Sequence, residues 1–136
     1  MNARIQDKIR EIENYLEELS EILPSSFREY SFDLKSKAAC ERYFEKIVEA
    51  IVDLAFLVIR EKGLQTPEED KEAFDILCKA KIIDAPLATR LKEAKGMRNF
   101  LAHQYGAIDD KIVFKALKKE LRKDAGIFIA SIETSF

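Results

Sequence analysis

Apolar residues recur along the chain at three- and four-residue steps almost from end to end. Ile5, Ile9, Ile12, Leu16, Leu19 and Leu23 follow spacings of 4, 3, 4, 3 and 4, the single stripe of an amphipathic helix. Pro24 ends it, having no N–H to donate and pushing its predecessor out of helical conformation. The stretch PSSFREYSFDLKS (24–36) lacks that period and reads as a loop pinned to the body by its aromatic and leucine side chains. A second helix is predicted over about 36–62. Cys40, Phe44, Ile47, Ile51, Leu54 and Val58 lie on one face of it, and Gly63 closes it as a left-handed cap. TPEE (66–69) reads as a helix start, with Thr66 as N-cap, Pro67 in the first helical position and Glu69 completing a capping box. That third helix carries Phe74, Leu77 and Cys78. Asp84 caps a fourth, which tolerates Pro86 in its first turn, carries Leu87, Leu91 and Ala94, and stops at Gly106. Asp109 or Asp110 opens the last, whose buried side is Val113, Leu117, Leu121, Phe128 and Ile132. The expected fold is all-α: an antiparallel helical bundle of four long helices plus one shorter helix, joined mostly by short loops. No repeat, low-complexity tract or linker divides it, so 1–136 reads as a single domain.

Composition narrows the function classes. A chain of 136 residues can bury roughly two-thirds of its unfolded surface, and 47% hydrophobic with 35% charged residues is ordinary for a globular protein. The formal net charge of −2 does not advertise nucleic-acid binding, so any such binding must rest on a local patch. Cys40 and Cys78 are far apart and lack metal or redox spacing; they read as a reduced pair. The N-terminus is charged from the start, without a signal-peptide pattern. The apolar run at 50–59 contains Asp53 and is about half a membrane span. A cytoplasmic protein without membrane contact is the expectation.

Two charge patterns do not follow from a plain bundle. Glu41, Glu45, Glu49 and Asp53 succeed one another at four-residue steps on the second helix, where like charges repel. Glu49 and Asp53 fall in its most apolar part, and a carboxylate near a core needs a cation or hydrogen-bond donor. Arg98 and His103 are the candidate partners. On the last helix Lys111, Lys115, Lys118, Lys119 and Arg122 share roughly one side. That stripe is either a solvated face or a track for phosphates, and Lys111, Lys115, Lys118 and Arg122 are its candidate RNA contacts.

The remaining chemistry is concentrated in GMRNFLAHQYG (96–106), which holds the only histidine. Arg98 and His103 lie about 140° apart on an ideal helix, whereas Asn99 and His103 stack. One imidazole, one guanidinium and one amide, with no Ser-His-Asp set and no metal-ligand cluster, suit metal-free phosphodiester cleavage. The nucleophile would be the substrate's own 2′-hydroxyl. His103 would move protons near neutral pH, and Arg98 would offset charge on the phosphorane oxygens. Such a reaction runs on RNA and not on DNA. No cofactor and no metal are called for.

The residues MRNFLAHQY carry R-x-x-x-x-H followed by H-x-Y, with Asn after the Arg, and on these the chain resembles the HepT toxins of the HEPN superfamily. ERYFEKIVEAIVDLA looks like that family's second helix, FDILCKAKIID like its third, and GMRNFLAHQYGAIDDKIV like its signature and the turn into the last helix. The resemblance implies an RNase toxin acting as a homodimer, with two signatures lining one cleft. It implies catalytic roles for Arg98 and His103 and a supporting one for Asn99. It also implies a cognate antitoxin, a minimal nucleotidyltransferase, that neutralises the toxin by adding AMP to Tyr105. Asp53 and Glu49 join the candidate site from the acidic ladder alone. The alternative is a noncatalytic helical module that binds a nucleotide or a nucleotidyltransferase.

Overall fold

The computed structural model describes residues 1–103 and 108–136, and every regular element among them is helical. Helix α1 spans Ala3–Ile22, α2 Phe27–Phe32, α3 Leu34–Glu61, α4 Asp70–Lys79 and α5 Ala85–His103. Helix α6 (Asp110–Lys115) runs through a π turn, Ala116–Glu120, directly into α7 (Leu121–Thr134). The four long helices are thus α1, α3, α5 and the continuous α6–α7 unit.

Helix α3 is the centre of the bundle. Its 28 residues extend about 42 Å at 1.5 Å per residue, and α1, α4, α5 and α7 all pack on it. Helix α1 lies antiparallel to it, since Asn2 bonds Glu61 near one end and Tyr43 bonds Glu18 near the other. The stripe Ile5, Ile9, Ile12, Leu16 and Leu19 is buried as its spacing requires. The whole predicted face of α3, from Cys40 to Val58, is buried too. Gly63 adopts φ +65, a left-handed cap that costs other residues about 1 kcal/mol or more. Asp84 caps α5 by accepting from the Leu87 N–H at 2.9 Å, and Asp109 caps α6 by accepting from the Lys111 N–H at 2.9 Å.

Three local expectations give way to different structures. The stretch 24–36 is not all loop: Ser26 accepts from the Glu29 N–H and starts the six-residue α2. Tyr30 is fully buried there, with its ring centroid 5.1 Å from that of Phe114. The TPEE signal is false, because Thr66–Glu69 stay outside the helix and α4 begins at Asp70 with no side-chain cap. Pro67 is buried against the body, which holds this segment extended, and the Glu72 carboxylate accepts from the Glu68 N–H instead. In the last helix a π turn, Ala116–Glu120, interrupts the expected regular α-helix, and Val113, Leu117 and Leu121 stay buried with Phe128 and Ile132. The predicted stop of α5 at Gly106 lies outside the described residues.

Candidate active site

Helix α5 carries the site because its buried ridge changes character along its length. Leu87 and Leu91 are core residues, and the next positions on the same ridge are Lys95 and Arg98. Lys95 is only 6% exposed. Burying an ammonium costs several kcal/mol unless it is paired, and here two carboxylates pair it: Nζ lies 3.0 Å from Asp70 Oδ2 and 3.5 Å from Glu49 Oε2. The same Glu49 oxygen lies 3.0 Å from Arg98 Nε. Both of those atoms are buried and lack an aligned hydrogen bond, so the contact is an ion pair set obliquely. Arg98 Nη1 also makes a long 3.4 Å bond to Asn99 Oδ1.

These groups open onto a shallow cavity of about 260 Å³ whose wall includes Tyr15, Arg42, Glu45, Lys46, Asp53 and Arg98. Lys46 sits over the rings of Tyr15 and Tyr43, 4.5 Å and 4.8 Å from their centroids. Its ammonium is therefore held by aromatic faces. The Tyr15 hydroxyl donates to Glu11 at 3.0 Å. Glu11 is held below its usual carboxylate range, first by its bond to Lys8 and then by that to Tyr15. Arg42, Lys46 and Arg98 thus share one opening with the carboxylates of Glu11, Glu45, Glu49 and Asp53.

The predicted site residues fall into three groups. Glu49 does meet Arg98, as the acidic ladder implied. Asp53 lines the same cavity but takes a different cation: it is 54% exposed and 3.6 Å from Lys8 Nζ. It lies one helical turn beyond Glu49 on the same side of α3, within reach of Lys8 on α1. His103 is the last residue of α5 and exposed, five positions beyond Arg98, and half-buried Asn99 lies between them. Tyr105 lies outside the described residues. The candidate RNA contacts Lys111, Lys115, Lys118 and Arg122 are all exposed, but the π turn separates Lys115 from Arg122. The Lys111 ammonium sits 5.9 Å from the Phe27 ring centroid, and Arg122 donates to the Leu16 carbonyl at 3.3 Å. Lys95 and Asp70 were not anticipated. Their signal was present, however: a lysine stands where the Leu87–Leu91 ridge calls for a third apolar residue.

The model for the ribonuclease HepT-like family matches residues 12–130, and the chain belongs to that family. The mRNA nuclease HepT of Shewanella oneidensis is 26% identical over 123 residues, covering 89% of this chain and 90% of that protein. The tRNA nuclease HepT of Aphanizomenon flos-aquae is 27% identical over 119 residues, covering 88% of this chain and 81% of that protein. Among solved structures, the tri-AMPylated Shewanella oneidensis HEPN toxin in complex with the MNT antitoxin superposes with a TM-score of 0.91. It is 25% identical, and the match covers 98% of this chain and 99% of that one. No described helix is long and apolar enough to cross a membrane.

Proposed function

We propose that this chain is the toxin of a toxin–antitoxin pair, a cytoplasmic endoribonuclease that cleaves RNA without a metal ion. One observation carries the reading. Glu49 meets Arg98 through Nε, and Arg98 lines the cavity five residues before an exposed histidine. Two similar proteins named as RNA nucleases support the substrate class.

In this reaction the 2′-hydroxyl of the RNA gives up its proton and attacks the adjacent phosphorus. The P–O5′ bond breaks, and the leaving 5′-oxygen takes a proton. His103 is the group that moves protons, and Arg98 stabilises the charge that grows on the phosphorane oxygens. Asn99 steadies Arg98 from the next position. Because one chain offers a single imidazole and the reaction wants a base and an acid, the working unit is a homodimer whose twofold axis brings two motifs to one groove. Phe100, 41% exposed between Arg98 and His103, and Ile112, 57% exposed, supply apolar surface near that groove. Lys111, Lys115, Lys118 and Arg122 follow the RNA backbone outside it. Tyr105, two residues beyond His103, is the site where a minimal nucleotidyltransferase antitoxin adds AMP. The AMP-bearing state of the Shewanella complex supports this, and an added phosphate would occupy the place of the substrate's own.

The nucleophile gives a direct test. RNA products should end in 2′,3′-cyclic phosphate and 5′-hydroxyl, and the same oligonucleotide with every 2′-hydroxyl methylated should stay intact. Cleavage of the methylated strand, or products with 3′-hydroxyl ends, would exclude the mechanism.

A further inference from the structure

Asp70, Lys95, Glu49 and Arg98 form a row in which charge alternates: carboxylate, ammonium, carboxylate, guanidinium. The links are 3.0 Å, 3.5 Å and 3.0 Å. The row joins three elements, from the first residue of α4 through α5 to the middle of α3 and back to α5. Its most buried member is Lys95, and the end opposite Asp70 is the arginine that lines the cavity. A substrate phosphate bound by Arg98 would extend the alternation by one negative charge.

A lysine is a costly residue to place on that ridge. Desolvating it is unfavourable, and replacing a buried ion pair by a well-fitted apolar side chain is commonly neutral or stabilising. Leu87 and Leu91 show what the ridge holds elsewhere. What the ammonium supplies is direction. Glu49 is 43% exposed at the side chain and free rotamers would let it turn toward water. Lys95, pinned from behind by Asp70, draws its Oε2 inward to the point where Arg98 Nε meets it. We infer that Lys95, anchored by Asp70, is a positioning residue that orients Glu49 and through it the guanidinium of Arg98. The catalytic consequence of this coupling rests on the ribonuclease reading, whereas the coupling itself does not.

Two readouts on the full-length protein separate those claims. The first is the Arg98 Nε–Hε signal in a ¹⁵N-edited spectrum, assigned by its loss in Arg98→Lys. Lys95→Met should shift and broaden that signal while leaving the backbone spectrum close to wild type. Asp70 and Glu49 are partly exposed, so water can solvate them once the ammonium is gone. Lys95→Arg should restore the signal. The second readout is RNA cleavage, in which Lys95→Met should lower kcat roughly tenfold to a hundredfold, the scale of a displaced catalytic group. KM should change less than about threefold, and Lys95→Arg should recover most of the rate. If Lys95→Met fails to fold, Asp70→Asn at the exposed end of the row gives the same readouts in the same direction.

An unchanged Arg98 signal in a folded Lys95→Met protein overturns the inference, whatever the activity does. A changed signal with kcat intact overturns its catalytic part. A changed signal in a protein whose wild type cleaves no RNA leaves the coupling standing and removes the ribonuclease reading.

Discussion

Residues near the core of this molecule carry charge only where a partner stands ready, and Glu41 is the informative exception. Burial raises its pKa above the ordinary carboxylate value, and the neighbouring Asp110 and Glu45 add to the rise against the opposing pull of Lys37. An acid whose pKa is raised on folding favours the fold in its protonated form. That contribution is present below the unfolded pKa of about 4.5 and is lost as pH rises through the folded value. Glu41→Gln should therefore stabilise the protein at pH 7 by about 0.5 kcal/mol, a small figure because the side chain is only partly buried and solvent screens its charge. The gain should shrink toward pH 4. Urea unfolding at both values reads it, and a gain that grew on acidification would contradict the assignment. Cys40, whose thiol burial pushes up to about 11, is held as a neutral core residue. At this scale sequence reasoning found the Glu49–Arg98 pair because a like-charged ladder advertises a missing cation. It did not find Lys95, since a lysine on a helix ordinarily reads as solvated and only its place on a leucine ridge says otherwise.

At the scale of elements, α1 and α3 were legible because each has a continuous apolar stripe, and α5 and the last helix because Asp84 and Asp109 cap them. What escaped were segments whose structure depends on tertiary contact. Helix α2 is too short to show a period and exists because Tyr30 and Phe27 pack on Phe114, 5.1 Å and 5.9 Å between ring centroids. TPEE misled because local start signals count for less than burial of Pro67. The π turn left no readable signal, since buried four-residue steps such as Ile47, Ile51, Ala55 and Ile59 also occur in the uninterrupted α3. The anchoring of α2 can be checked. The Tyr30 hydroxyl is buried with no hydrogen-bond partner among the described residues, so there its ring contributes packing and its oxygen only desolvation. Tyr30→Phe should be neutral or stabilising by about 1 kcal/mol, whereas Tyr30→Ala should cost about 3 kcal/mol through the cavity it leaves. Loss of stability in Tyr30→Phe comparable to that in Tyr30→Ala would show that the hydroxyl has a partner after all.

At the scale of the whole molecule, the bundle is a rigid frame that delivers one helix, α5, with its charged end toward an opening. With a net charge of −2, the proposed RNA binding would rest on local cations such as Arg98 and those of the last helix, not on the protein's overall charge. His103 stands at the end of α5 where it is exposed, so removing its imidazole should cost the fold little. The decisive measurement is cleavage of RNA by purified wild-type protein and His103→Ala, side by side in excess EDTA, with both shown to be folded by circular dichroism. Wild type should cut the RNA at its metal-free rate, and His103→Ala should leave it intact. Equal cleavage by the two proteins, or cleavage by wild type that disappears with the chelator, would contradict a reaction driven by this histidine without a metal.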